Sequence, residues 1–75
     1  MAAPQGGLSV AIGGLGAIGA HLARALDDGV QGLRLAAVAA RDHDKARRTL
    51  AGFRSVPEIV PLPALAEVAD IVVEA

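Results

Sequence analysis

An α/β fold with a parallel sheet is the class this sequence predicts, and three observations predict it. Short apolar runs of strand length alternate with stretches of helical period. Glycines and prolines stand at the junctions between them. The resulting order is β-α-β-α-β-α-β, in which each strand is followed by a helix that returns the chain to the starting edge, so the strands run parallel. The crossovers are expected to be right-handed.

Residues 1–7 are small and polar and carry Pro4, Gly6 and Gly7; they are expected to form a flexible N-terminus. Residues 8–12, LSVAI, form a short apolar run bounded by glycines, which favours a buried strand over a helix. Residues 13–16 form a loop. From Ala17 the period changes. Ile18, Leu22 and Leu26 recur at helical spacing with Ala25 beside them, while His21, Arg24 and Asp28 point elsewhere. Gly29 is placed to stop that helix.

Residues 33–40, LRLAAVAA, are the second strand, broken by the polar run at residues 41–44. Asp42 or Asp44 can cap a helix over residues 45–51 that Gly52 ends. Residues 58–60 form a very short strand fenced by Pro57 and Pro61. Pro63 suits the first turn of a third helix, whose buried stripe is Leu65, Val68 and Ala69. Residues 70–74, DIVVE, form the final buried strand.

The chain has 75 residues, so it holds at most one small domain. At that size only roughly 60% of the unfolded surface is buried. The chain stops as its fourth strand ends, whereas doubly wound folds of this type continue with more strands and helices. Residues 8–75 are therefore expected to be an incomplete, truncated N-terminal domain. The composition is 53% hydrophobic and 20% charged, which excludes a disordered chain. The apolar content is rich in alanine, and Phe53 is its one aromatic residue. The formal net charge of −1 gives no reason to invoke nucleic acid or an anionic membrane surface. Cysteine is absent, which rules out disulfides and thiolate metal sites and fits a reducing, cytoplasmic setting. The start lacks a basic n-region, and no apolar run reaches the roughly 20 residues needed to span a bilayer.

Gly14, Gly16 and Gly19 spell G-x-G-x-x-G. The pattern gains physical meaning here because it follows a predicted strand and opens a predicted helix. Gly14 allows a sharp turn after the strand. Gly16 lets a pyrophosphate approach the backbone, and Gly19 lets the helix pack closely on the sheet. The first helical N–H groups, from Gly16 through Ala17 to Ile18, lack partners within the helix and face the space beyond the strand, where the helix dipole favours an anion. The bland alternative is a glycine-rich turn in some other α/β protein. A Walker A loop is excluded because no G-K-[ST] follows. Gly13 is read as incidental. The candidate cofactor-binding residues are Gly14, Leu15, Gly16, Ala17, Ile18, Gly19, Ala40 and Arg41, and residues 8–75 are accordingly expected to be an incomplete Rossmann-like dinucleotide-binding domain, with the substrate domain absent.

The end of the second strand bears on the form of the nicotinamide cofactor. An acid about 20 residues past the glycines would bind the ribose 2′-hydroxyl of NAD. That place falls at Ala39 or Ala40, and Arg41 follows at once. An arginine there can fork onto a 2′-phosphate, so the site is expected to admit NADP. Asp42 turned inward would instead serve NAD, and both cofactors stay open. Arg41 in isolation also reads as an exposed loop residue. Lys45, Arg47 and Arg48 read as a solvated helix face, of which Lys45 is the one placed to assist a phosphate. Glu74 ends the fourth strand, either near the nicotinamide ribose or simply at an exposed strand end.

His21 and His43 read as surface residues. No spacing of His, Asp or Glu suggests a metal site. Ser9 lies within a strand and Ser55 in a loop, so no Ser-His-Asp arrangement arises, and no catalytic residue is assigned.

GLGAIG at residues 14–19, ARD at residues 40–42 and LAEVADIVVEA at residues 65–75 resemble, in their combination and spacing, the N-terminal part of L-aspartate dehydrogenases. The likeness covers nearly the whole chain from Leu8 onward. It implies an NAD(P)-dependent oxidoreductase that removes a hydride from the α-carbon of L-aspartate. The product, iminoaspartate, hydrolyses to oxaloacetate and ammonia or feeds NAD biosynthesis. It further implies a two-domain enzyme, commonly a homodimer, whose catalytic histidine and substrate-binding residues lie in the later domain and have no counterpart here. Where the family often carries an acid, this chain has Ala40, a departure that does not favour a strict NAD preference. Another two-domain NAD(P)-dependent oxidoreductase, acting on sugars or homoserine, and a non-catalytic nucleotide-binding module are the competing readings.

Overall fold

The computed structural model describes residues 7–75. Strand β1 (Leu8–Gly13) leads through helix α1 (Ala17–Asp28) to β2 (Leu33–Ala39). Helix α2 (His43–Leu50) then leads to β3 (Glu58–Ile59). A 3-10 turn (Leu62–Ala64) runs directly into the one-turn helix α3 (Leu65–Val68), and β4 (Ile71–Glu74) closes the sheet. All three strand pairs are parallel, in the order β3-β2-β1-β4. The chain steps outward from β1 to β3 and then jumps back past β1 to β4. That reversal is the signature of a Rossmann-like α/β sheet, and ligand crevices open at the carboxyl ends of the strands flanking it.

Side chains of β1 alternate between two cores. Val10 and Ile12 meet Ala23 and Leu26 of α1, Val38 of β2, and Leu50 and Phe53 from the end of α2. On the opposite face Ala11, Ala37 and Ala39 meet Val60 and Leu65. The two faces are unequal in substance. Burying a Leu, Ile, Val or Phe side chain is worth about 1.5–3 kcal/mol, whereas each methyl-sized group is worth about 0.8. The α1–α2 face therefore supplies most of the apolar stabilisation, and the alanine face depends on Val60 and Leu65. Ala11, Ala37 and Ala39 thus form the sheet surface under α3, where their short side chains meet Leu65.

A register shift between Val10 and Ala11 skips Ala36, so Val10 pairs with Leu35 and Ala11 with Ala37. Beyond it Ala37, Val38 and Ala39 are all buried, as expected of a central parallel strand covered on both faces.

Polar contacts fasten the periphery. Asp27, near the end of α1, accepts the backbone N–H groups of Arg54 (2.9 Å) and Ser55 (3.1 Å), which ties down the loop after α2. Those amides hold the Asp27 carboxyl below the ordinary carboxylate range. The Arg24 guanidinium lies 5.7 Å from the centroid of the Phe53 ring, within cation–π range.

Several expectations are corrected. The buried side of α1 is Gly19, Ala23 and Leu26, with Leu22 packed against it, whereas Ile18 is 77% exposed. Gly19 presents no side chain, so the helix seats on its glycine-alanine side and turns Ile18 outward. Helix α2 starts at His43, two residues early, because Asp42 rather than Asp44 is its cap. It ends at Leu50, and Gly52 lies in the turn beyond without a positive φ. Strand β3 excludes Val60 and β4 excludes Asp70. Val68 is 39% exposed, because α3 is a single turn and presents only Leu65 to the core. Strand β4, expected to be buried, is an edge among the described residues, and Ile71 and Val72 are exposed there. The flexible N-terminus expected at residues 1–7 lies, Gly7 apart, outside the described residues.

Candidate dinucleotide site

The carboxyl end of β1 is held by its neighbours on both sides. The Gly14 N–H donates to the Ala39 carbonyl of β2 at 2.8 Å, and the Ala75 N–H donates to the Gly13 carbonyl at 3.1 Å. Gly14 turns the chain with φ 111°, a conformation that side-chain-bearing residues rarely adopt. A β-carbon there would also stand 2.7 Å from the Ala75 carbonyl oxygen. Helix α1 begins three residues later. A β-carbon on Gly19 would collide with the Gly14 carbonyl, so the first turn of the helix presses directly on the loop.

Gly16 caps α1 with no side-chain hydrogen bond. The amides that open the helix are therefore left for solvent or a ligand. Nothing lies within 4 Å of where a Gly16 β-carbon would be, so a ligand has open access to this backbone. Gly13, read from sequence as incidental, sits beneath two side chains: a β-carbon there would be 3.0 Å from Leu62 Cδ1 and 3.4 Å from Leu65 Cδ1.

Two cavities meet above this loop. The larger, about 500 Å³, is bordered by Gly14, Ala39, Val60, Leu62 and Ala75. The smaller, about 300 Å³, is bordered by Gly14, Leu15, Gly16, Lys45 and Thr49. Ala40 and Arg41 border both, so the end of β2 forms the divide of one crevice. Such a crevice, lined by backbone amides and an uncapped helix start, matches a dinucleotide's diphosphate and its adenosine end.

Of the eight candidate residues, Gly14, Leu15, Gly16, Ala40 and Arg41 border the crevice. The side chain of Leu15 packs against the α1–α2 core, which leaves its backbone to the loop. Ala17 and Ile18 are exposed on the first turn of α1, and Gly19 is buried beneath it. None of these three borders either cavity. Pro61, Leu62 and Ala75 border the larger cavity and were not singled out from sequence. The available signal was their place just past the carboxyl ends of strands, where such sheets bind ligands.

Asp42 borders the smaller cavity, but its Oδ1 accepts the Lys45 N–H at 3.0 Å. The amides of Lys45 and Asp44 and the charges of Arg48 and Lys45 hold its carboxyl below the usual range. Asp44 accepts Arg47 Nη1 at 2.9 Å, an i,i+3 pair on an exposed face. Glu74 is exposed and pairs in register with Gly13. His21 and His43 are exposed. Among the described residues no three His, Cys, Asp or Glu side chains gather as a metal site, and no helix is long and apolar enough to cross a membrane.

Comparison with known proteins agrees with this geometry. Over 67 residues, 89% of this chain, the sequence is 54% identical to an L-aspartate dehydrogenase of Bradyrhizobium diazoefficiens. Over 66 residues, 88% of this chain, it is 41% identical to an L-aspartate dehydrogenase of Methanocella arvoryzae. In each case the match covers 24% of the relative's length. Residues 14–75 match the family model described as the NAD-binding domain of homoserine dehydrogenase. With a parallel β3-β2-β1-β4 sheet and a glycine loop opening its first helix, the chain belongs to that family of NAD-binding domains.

Proposed function

We propose that this chain is the NAD(P)-binding part of an L-aspartate dehydrogenase. The observation that carries the cofactor half of the reading is the uncapped start of α1 beside open backbone at Gly16. The two relatives of that name support the substrate half. The amides of Gly16, Ala17 and Ile18 would hold the diphosphate, with Gly14 and Leu15 shaping the loop. Gly19 keeps α1 seated, and Ala40 and Arg41 border the adenosine ribose. Glu74, at the end of β4, stands on the side where the nicotinamide ribose belongs.

The nicotinamide ring supplies a hydride acceptor when the cofactor is bound. The residues of this chain bind and orient the cofactor. Substrate residues belong to a separate domain outside these 75 residues. In the full reaction the α-carbon of L-aspartate gives up a hydride and its nitrogen a proton, leaving iminoaspartate. Water then converts the imine to oxaloacetate and ammonia. A homodimer in the cytoplasm completes the proposal.

The test is aspartate-dependent reduction of NAD⁺ or NADP⁺ by the complete protein, followed by absorbance of the reduced nicotinamide. L-homoserine and aldose sugars serve as competing substrates. Turnover of aspartate above both supports the reading, and turnover of homoserine or a sugar in its place removes it.

A further inference from the structure

We propose that the smaller cavity is a subsite for the 2′-phosphate, so that the protein selects NADP over NAD; this rests on the cofactor reading above. Three observations carry it. First, the residue just past β2 that lines this cavity is Ala40, whose side chain offers no acceptor to a ribose hydroxyl and no charge to repel a phosphate. Second, the acid that follows is committed elsewhere: Asp42 serves as the cap of α2, its Oδ1 bound to the Lys45 amide at 3.0 Å. To grip a 2′-hydroxyl with both carboxylate oxygens, Asp42 would have to uncap that helix. Third, Arg41 and Lys45 both border the cavity, and among the described residues neither forms a salt bridge. Two cations thus face this pocket against one carboxylate.

The energetic direction follows from charge. A phosphate monoester carries about −1.5 to −2 charges near neutral pH. An arginine can meet two of its oxygens with parallel N–H donors, and a lysine adds a point charge. A bare ribose hydroxyl gains little from either. Thr49 does not compete, since its hydroxyl donates to the Lys45 carbonyl at 3.0 Å and reinforces the first turns of α2.

Calorimetric titration of the complete protein with NADP⁺ and NAD⁺ tests this, with 2′,5′-ADP and 5′-AMP as fragments that differ at the 2′ position. The expected result is NADP⁺ tighter than NAD⁺ by about tenfold or more, and 2′,5′-ADP tighter than 5′-AMP. Arg41→Ala should weaken NADP⁺ by about 10- to 100-fold while NAD⁺ changes by less than about threefold. Lys45→Ala should act in the same direction with a smaller effect. Ala40→Asp should reverse the preference, because it places an unengaged carboxylate at the ribose. Equal affinities for the two dinucleotides, or equal losses in Arg41→Ala, would overturn the subsite and leave the cofactor reading standing. Failure of both dinucleotides to bind would overturn the cofactor reading and the subsite together.

Discussion

The carbonyl oxygen of Gly14 occupies the place where a β-carbon on Gly19 would stand. The turn after β1 and the first turn of α1 are in this sense one packed unit, and the crevice inherits its shape from that contact. Gly16, between them, touches nothing where its β-carbon would be. Glycines of one motif therefore serve different physical ends, and substitution separates them.

Gly19→Ala should lower stability by about 1–3 kcal/mol, the usual cost of inserting an atom into a packed site whose neighbour is backbone. Gly16→Ala should leave stability within about 1 kcal/mol, because its φ of −68° suits alanine and the position is open. Its cost should fall on dinucleotide affinity, since the methyl group enters the ligand's approach. Urea unfolding and calorimetric titration of both variants check the split. Equal unfolding midpoints would refute the packing account of Gly19.

At the opposite end of the sheet Ser9 and Asp70 clasp each other across β1 and β4. Ser9 donates its N–H and its hydroxyl to Asp70 Oδ2, both at 3.0 Å, and the Asp70 N–H donates back to Ser9 Oγ at 3.0 Å. The Ser9 amide first, then its hydroxyl, hold the Asp70 carboxyl below its ordinary value of 3.8. A carboxylate depressed by folding stabilises the native state fully above its unfolded-state value, and that stabilisation is lost as pH falls through the lower native value. Denaturant midpoints should therefore drop below pH 3.8. Asp70→Asn should be less stable than the parent at neutral pH, and the gap should close in strong acid. A gap that is independent of pH would show that the carboxylate charge contributes nothing to the clasp.

The element order was legible because glycines and prolines stand at nearly every junction and the apolar period changes between them. The glycine motif was legible because its strand and helix context was. Other features depend on relations that no local window contains. Ser9 and Asp70 lie 61 residues apart, and Ser9 alone reads as one more polar residue in a strand. The buried side of α1 was misread because Ile18 has the right spacing for a core stripe. Close seating at Gly19 rotates the helix so that the smaller residues face the sheet. The shift at Ala36 reflects pairing between β1 and β2, which periodicity along either strand does not reveal. Asp42 was recognised as a possible cap, but its commitment to Lys45 became visible only with the helix start in place.

The unequal faces of the sheet make Leu65 more important than its one-turn helix suggests. It is 1% exposed and is the side chain through which α3 covers the alanines of β1 and β2. Leu65→Ala should cost about 2–5 kcal/mol, as cavity-forming truncations do when surrounding atoms cannot close the gap. Ile18→Ala should cost less than about 0.5 kcal/mol, in keeping with surface substitutions away from packed features. Thermal unfolding distinguishes them. Comparable losses at the two positions would mean that Ile18 is covered in the complete protein.

Ionic strength separates the two dinucleotides in a way that does not depend on any substitution. Arg41 and Lys45 are exposed, so their attraction for a phosphate acts through solvent and is screened by salt. The screening length falls from about 10 Å at 0.1 M to about 3 Å at 1 M. In the proposed site the diphosphate, by contrast, would be held by short contacts to the amides at the start of α1, which NAD⁺ and NADP⁺ would share. Added salt should therefore weaken NADP⁺ more steeply than NAD⁺, drawing the two affinities together. In Arg41→Ala the two salt slopes should be nearly equal, because the larger of the 2′ contacts is gone. Titrations of both cofactors between about 0.1 M and 1 M salt read this directly. Parallel slopes in the parent protein would mean that the 2′ position feels no net positive field, and that the selectivity must come from elsewhere in the crevice.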